Sequence, residues 1–303
     1  MHIAHPSRPL LVGPKSLLSS SRRNAASLKS RFHWHRSETP WAQFRSFSMT
    51  AAEGLSSAEE EAKFGFRRAE MYKSILSNTV DAYDRHVFVC FKGPEAWAPR
   101  VEESDTAVLI QLLSSVVKAR NDDIDLKTKL TVCGGCNEIG FSDGDVLIFP
   151  DMIKYKGLRE SDVDGFVNDV FVNGGPWASG VPEVFMGCHI FVCAHGSRDL
   201  RCGVCGPVLI QKLKEEIELR GLKNRVFVSP CSHIGGHKYA GNLIIYSHDH
   251  EGKVIGHWYG YVTPDDVPDL LDQHVSKGLV IERLWSFHTD SGGTDLVDKN
   301  VPH

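Results

Sequence analysis

Four residues between positions 193 and 237 have the types and spacing to do chemistry together. Eight residues lie between Cys193 and Cys202, thirty between Cys202 and His233, and three between His233 and His237. Two sulfur ligands and two imidazoles, each pair on its own loop, can close one metal site. Thiolates with histidine suit zinc or an iron-sulfur centre, and geometry decides between them. Gly235 and Gly236 precede His237 and let the backbone fold closely there. A rival lies in Cys202-Gly-Val-Cys205-Gly-Pro207, a C-x-x-C at the start of an expected helix, whose dipole would lower a thiol pKa. That arrangement would serve a thiol-disulfide oxidoreductase using Cys202 and Cys205. A structural zinc-binding interaction module is the other alternative. His195 is expected in a supporting or exposed role, Cys231 as a buried thiol, and Arg198 and Arg201 as solvated loop residues.

The elements that position these residues read clearly. Residues 189–193 form a short apolar, β-branched run, a buried strand. A loop leads to a helix from Pro207 to Arg220, with Leu209, Leu213 and Ile217 as its core stripe, Pro207 in its first turn and Gly221 past its end. Strands follow at 225–229, 243–247 and 254–261, and Thr263-Pro-Asp-Asp266 caps a last helix to about Val275.

Much of this plan occurs twice. His86-Val-Phe-Val-Cys90 recurs as His189-Ile-Phe-Val-Cys193, Val108-Leu-Ile-Gln as Val208-Leu-Ile-Gln, and Asp145-Val-Leu-Ile-Phe149 as Asn242-Leu-Ile-Ile-Tyr246. The expectation is an α/β chain of two tandem thioredoxin-like domains from an internal duplication, after a disordered N-terminal leader. The divisions are a leader at 1–48, a degenerate domain at 55–172 opening with a helix from Ser57 to about Leu76, a Gly- and Pro-rich linker at 173–183, the ligand-bearing domain at 184–290, and a flexible tail at 291–303. The first copy lacks the ligands: Cys90, Cys133 and Cys136 read as core thiols and an inert loop.

The C-A-H-G-x-R-D-x-R-C-G loop and H-x-G-G-H resemble the sucrase/ferredoxin-like family of thioredoxin-like ferredoxins, which includes altered-inheritance-of-mitochondria proteins. The resemblance spans about residues 80 to 287. It implies a [2Fe-2S] cluster held by Cys193, Cys202, His233 and His237, and an iron-sulfur electron carrier without a catalytic residue of its own. Neutral imidazoles in place of two thiolates would raise the potential, and proton-coupled redox through the iron-bound rings would follow. An unidentified redox partner protein is implied. Sucrose hydrolysis is not expected, because no spacing singles out a pair of carboxylates; neither is nucleic-acid binding.

Composition sets the remaining bounds. No apolar run approaches the roughly 18 residues of a membrane span. Residues 1–48 hold eight Lys or Arg against one acidic residue, Glu38, whereas the rest holds 26 basic against 37 acidic. An Arg- and Ser-rich, acid-poor segment has the composition of a transit peptide. A mitochondrial location is expected, with a plastid, or the cytoplasm if translation starts at Met49, as alternatives. Eight cysteines in a chain of 303 residues without a secretory leader point to reduced thiols in metal or redox work. Residues 1–47 are expected to be removed on import at Arg45-Ser-Phe-Ser48. Mass spectrometry of the N-terminus of organelle-purified protein checks this, and an intact Met1 there would refute it.

Overall fold

The computed structural model describes residues 57–134 and 140–289, which fall within one compact unit. The expected leader, the tail and Cys136 lie outside the described residues. Ten strands form a mixed sheet: β1 (Arg85–Cys90), β2 (Thr128–Cys133), β3 (Val146–Phe149), β4 (Ile153–Tyr155), β5 (Glu183–Val184), β6 (Cys188–Cys193), β7 (Val226–Cys231), β8 (Leu243–His248), β9 (Val254–Tyr259) and β10 (Trp285–Thr289). The helices are α1 (Ser57–Lys63), α2 (Val108–Ala119), α3 (Val163–Phe166, continued by a π-helical turn, Val167–Val172), α4 (Leu200–Leu219) and α5 (Val267–Asp269, continued by a π-helical turn, Leu270–Val275). The Thr263/Asp266 capping box opens the last helical segment, as its sequence predicts.

The strand order is β10-β9-β8-β6-β7-β2-β1-β3-β4-β5. β1 pairs parallel with β2 and antiparallel with β3, and β6 pairs parallel with β7 and antiparallel with β8. Among the described residues the two sets of strands pair at β2 and β7 alone, through Cys133 and Cys231. That one-residue seam lets the sheet fold over. β1 and β6 are separated by two strands, which in a flat sheet would hold them about 14 Å apart. Yet the rings of Phe88 on β1 and Phe191 on β6 stack at 3.8 Å. Their side chains therefore meet between two leaves packed face to face.

Period-two alternation sorts the side chains between the layers. Phe88, Cys90, Phe191 and Cys193 enter the core between the leaves, with Phe149, Tyr246 and Trp258. Val87 and Val89 face outward under α2 and α3, and Ile190 and Val192 under α4 with Leu209, Leu213 and Ile217. Both faces of the central strands are covered, which is why β1 and β6 are buried at every position.

The inter-leaf core also holds a polar chain. His86 bonds Tyr246 Oη at 2.9 Å and Thr131 Oγ1 at 2.7 Å, Tyr246 Oη meets Tyr83 Oη at 3.1 Å, and Trp258 Nε1 donates to Tyr83 Oη at 2.7 Å. Burial pushes His86 well below the ordinary histidine pKa and leaves it neutral, so the chain carries no unpaired charge.

Two helix boundaries differ from the sequence expectation. α1 ends at Lys63 and not near Leu76. Phe66 N–H turns to Glu61 Oε1 at 2.7 Å, and the buried Arg68 guanidinium donates to the carbonyls of Phe64 and Gly65, which takes the place of further helical turns. α4 begins at Leu200, because Asp199 accepts from Arg201 N–H at 2.9 Å and caps the helix there. Pro207 consequently lies inside the helix, where it lacks the N–H that Gly203 C=O would accept.

Tyr246→Phe keeps the ring packing and deletes the hydroxyl shared by His86 and Tyr83. A loss of about 1–3 kcal/mol in unfolding free energy is expected from the unsatisfied buried partners, measured by urea denaturation; an unchanged midpoint would show that the polar chain does not hold the leaves together.

Candidate metal centre

β6 delivers Cys193 to its C-terminal end, and its parallel neighbour β7 ends at Cys231, two residues before His233. α4 returns Cys202 to the same place in its first turn. The return is tight: a Cβ on Gly203 would stand 2.6 Å from Gly196 Cα, so only glycine lets the helix start lie on the loop that follows Cys193. Cys193, Cys202 and His233 thus place their ligand atoms within 4.8 Å of one another.

The electrostatics of the group are those of an unequal thiol pair. A hydrogen bond from the Cys202 thiol outweighs burial and, with the His233 imidazole, holds Cys193 well below the ordinary thiol pKa. The same bond, followed by burial, pushes Cys202 well up. His233 Nδ1 is buried and has no hydrogen-bond partner. Three ligand atoms this close fit a metal ion, since tetrahedral zinc bonds of about 2.0–2.3 Å set ligand atoms roughly 3.5–3.8 Å apart. The donor set therefore suits a soft cation with modest closure.

The four-ligand expectation is overturned. Among the described residues the ligand group holds two cysteines and one histidine, and His237 is outside it. Gly236 adopts a left-handed φ of 60° and turns the chain into a 3-10 segment, His237–Tyr239, that leaves His237 exposed. Its ring centroid lies 5.6 Å from that of His233, tilted by 31°. The [2Fe-2S] cluster on two cysteines and two histidines does not stand, and the proton-coupled redox expected of its iron-bound rings falls with it.

His195 is neither exposed nor a ligand. It is buried at 2% exposure, accepts from His233 N–H through Nδ1 at 3.1 Å, and meets Ala98 C=O through Nε2 at 2.8 Å. Because Nδ1 must accept, the proton sits on Nε2 and donates to Ala98. Ser197 Oγ donates to Trp97 C=O at 2.6 Å, and the Trp97 ring meets His195 edge-on. The loop of residues 91–98, which carries no ligand, therefore buttresses the ligand loop about a hundred residues away. No local signal around Trp97 announces that role.

Arg68 is the second residue that sequence reasoning passed over. Its guanidinium, 2% exposed, donates to Cys205 Sγ at 3.1 Å and to Ala240 C=O at 2.7 Å. Cys205 lies against this arginine and Phe64 C=O, and burial pushes its thiol up to about 11. The partner of Cys202 is Cys193 and not Cys205. Arg201 is engaged by Asp199 at 2.9 Å, whereas Arg198 is exposed.

Several known proteins are similar to this chain. Altered inheritance of mitochondria protein 32 of Debaryomyces hansenii is 44% identical over 96 residues, 32% of this chain and 34% of that protein. Its namesake in Kluyveromyces lactis is 27% identical over 257 residues, 70% of this chain and 77% of that protein. Actin patches distal protein 1 of Saccharomyces cerevisiae is 30% identical over 146 residues, covering 42% and 45%. The chain spans about a third of the length of several such relatives. A thioredoxin-like [2Fe-2S] ferredoxin from Aquifex aeolicus aligns with 33% of this chain and 97% of its own at 23% identity, with a TM-score of 0.27. No helix among the described residues is long and apolar enough to cross a membrane. Residues 76–287 match the sucrase/ferredoxin-like family, and by that match over more than two thirds of its length the chain belongs to it.

Proposed function

We propose that Cys193, Cys202 and His233 form a metal-thiolate centre that binds one soft ion of the zinc class and clips the two ligand loops together. The observation that carries this is the convergence of two thiols and an imidazole, their ligand atoms all within 4.8 Å of one another. An ion bound there would supply folding free energy, because the ligands come from segments thirty residues apart that the unfolded chain does not bring together. Of the two thiols Cys193, with its lowered pKa, is the more readily deprotonated, and Cys202 must give up its proton to bind. His195 holds the His233 backbone in place. The exposed Arg198, His237 and Lys238 lie on the same loops and are available to a partner protein.

A second use of the site is favoured by the Cys193–Cys202 hydrogen bond. A thiolate beside a thiol is the starting state for reversible disulfide formation, so the metal-free pair would store two electrons and serve a non-catalytic carrier. This thiol chemistry uses Cys193 with Cys202 and leaves Cys205 aside. A mitochondrial location belongs to the same proposal, supported by the Arg-rich leader and the names of the relatives. So does descent from two tandem thioredoxin-like halves, supported by the recurring motifs and strand pairing.

Protein purified without air is expected to contain about one zinc per chain by elemental analysis. Cys193→Ser, Cys202→Ser and His233→Ala should each weaken zinc binding at least about tenfold, since each removes one of three ligands, whereas His237→Ala, Cys205→Ser and Cys231→Ser should retain it. No metal, or iron retained equally by all six variants, would sink the assignment.

The sign of the pH dependence follows from the pair. Metal-free Cys202 is protonated because its pKa is raised, and binding requires its thiolate, so one proton leaves as zinc enters. Zinc affinity should therefore rise at least about tenfold per pH unit below the raised pKa, and Cys202→Ser should make that slope shallower. Competition titration between pH 6 and 8 with a chelator of known affinity measures it; a pH-independent affinity would show that no thiol deprotonates on binding.

A further inference from the structure

Four thiols stand in a row across the fold of the sheet. Cys90 is opposite Cys133 in register, Cys133 opposite Cys231, and Cys231 opposite Cys193. All four belong to the core between the leaves, and all are buried. Cys193 serves the metal centre; Cys90 and Cys133 have no part in it.

Cys90 and Cys133 are nonetheless placed for chemistry. They end adjacent parallel strands, whose spacing of about 4.8 Å lies inside the roughly 4.4–6.8 Å between Cα atoms that a disulfide spans. Their sulfurs are 3.5 Å apart. Rotation about the Cα–Cβ bonds brings sulfurs at that separation to a bond of about 2.05 Å without a change of register. Each thiol has the other as its hydrogen-bonding neighbour, whereas Cys188, equally buried on β6, packs among aliphatic side chains in the outer core.

We propose that Cys90 and Cys133 are a second redox site, a dithiol that closes to an interstrand disulfide under a small uncharged peroxide. The pair loses two protons and two electrons. One sulfur attacks the peroxide O–O bond, becomes a sulfenic acid and releases water or an alcohol. The other then attacks that sulfur, forms the S–S bond and displaces water. A small oxidant is required because neither sulfur reaches solvent.

The position gives the bond a consequence. Ser232 N–H donates to Val132 C=O at 2.7 Å, and Gly134 N–H to Pro230 C=O at 2.9 Å, so the end of β2 is tied to the chain entering His233. A disulfide from β1 to β2 would fix the strand on which that seam hangs. Burial, assisted by Cys90, keeps Cys133 a thiol, so closure should be slow at neutral pH and faster in base.

The test is differential alkylation of the full chain before and after hydrogen peroxide, with peptide mapping under denaturing conditions. A peptide joining Cys90 to Cys133 is expected in the wild type, forming about tenfold faster at pH 8 than at pH 7 as the thiolate fraction rises. It should persist in Cys193→Ser, which separates this site from the metal centre, and vanish in Cys90→Ser. If Cys90 and Cys133 remain fully alkylatable after denaturation, or if Cys133 joins Cys231 instead, the proposal fails.

Discussion

A single residue pair, Cys133 opposite Cys231, joins the two halves of the sheet, and the rest of the structure depends on how little pairing that is. A long ladder would have kept the sheet open and left one face of β1 and β6 without a cover. One pair leaves the leaves free to close, and closing them buries Phe88 against Phe191 and Phe149 against Tyr246. The energy of that burial is largely apolar area removed from water, at about 25 cal/mol per Å². The price is a set of polar groups taken inside, which the His86, Tyr246, Tyr83 and Trp258 chain meets bond for bond.

The same seam positions the candidate metal centre. β6 and β7 run parallel, so Cys193 and the approach to His233 emerge at one edge, and α4 must start there because it crosses back over the sheet. Glycine at 196 and 203 permits that start to lie close enough for Cys202 to reach Cys193. Among the described residues the chain before β6 supplies no member of the ligand group, yet Ala98 and Trp97 hold His195 and Ser197, and His195 holds His233. Residues 97 and 98 thus buttress the ligand loop.

Much of this was legible in the chain. The alternation of His189-Ile-Phe-Val-Cys193 and its echo at His86 fixed both central strands, and the capping box at Thr263 marked its turn. Cys193, Cys202 and His233 converge where their spacing pointed. What the spacing could not say is that His237, four residues after His233, turns away: a left-handed Gly236 redirects the backbone, and a histidine pair at i and i+4 shares a face only on a helix. Pro207, a common first-turn residue, suggests a later start for α4, while Asp199 is a stronger cap eight residues earlier. Arg68 was invisible because its partners, Cys205 and Ala240, lie more than 130 residues away.

Arg68 also shows how the N-terminal segment is bound into the fold. A guanidinium this buried loses its water and here recovers hydrogen bonds from three carbonyls and two sulfurs, with Glu70 as its carboxylate neighbour at 3.6 Å. The neutral acceptors take up its two terminal nitrogens, while its buried Nε has no hydrogen-bond partner and faces the Glu70 carboxylate. The field that remains falls on Cys205, where it works against the burial that raises that thiol. Since α4 carries Cys205 one turn beyond Cys202, the arginine ties residues 64–71 to the helix that supplies a ligand. The short α1 follows from the same bonds: the chain leaves its helix at Lys63 because the carbonyls of Phe64 and Gly65 are worth more to a buried cation than to another turn.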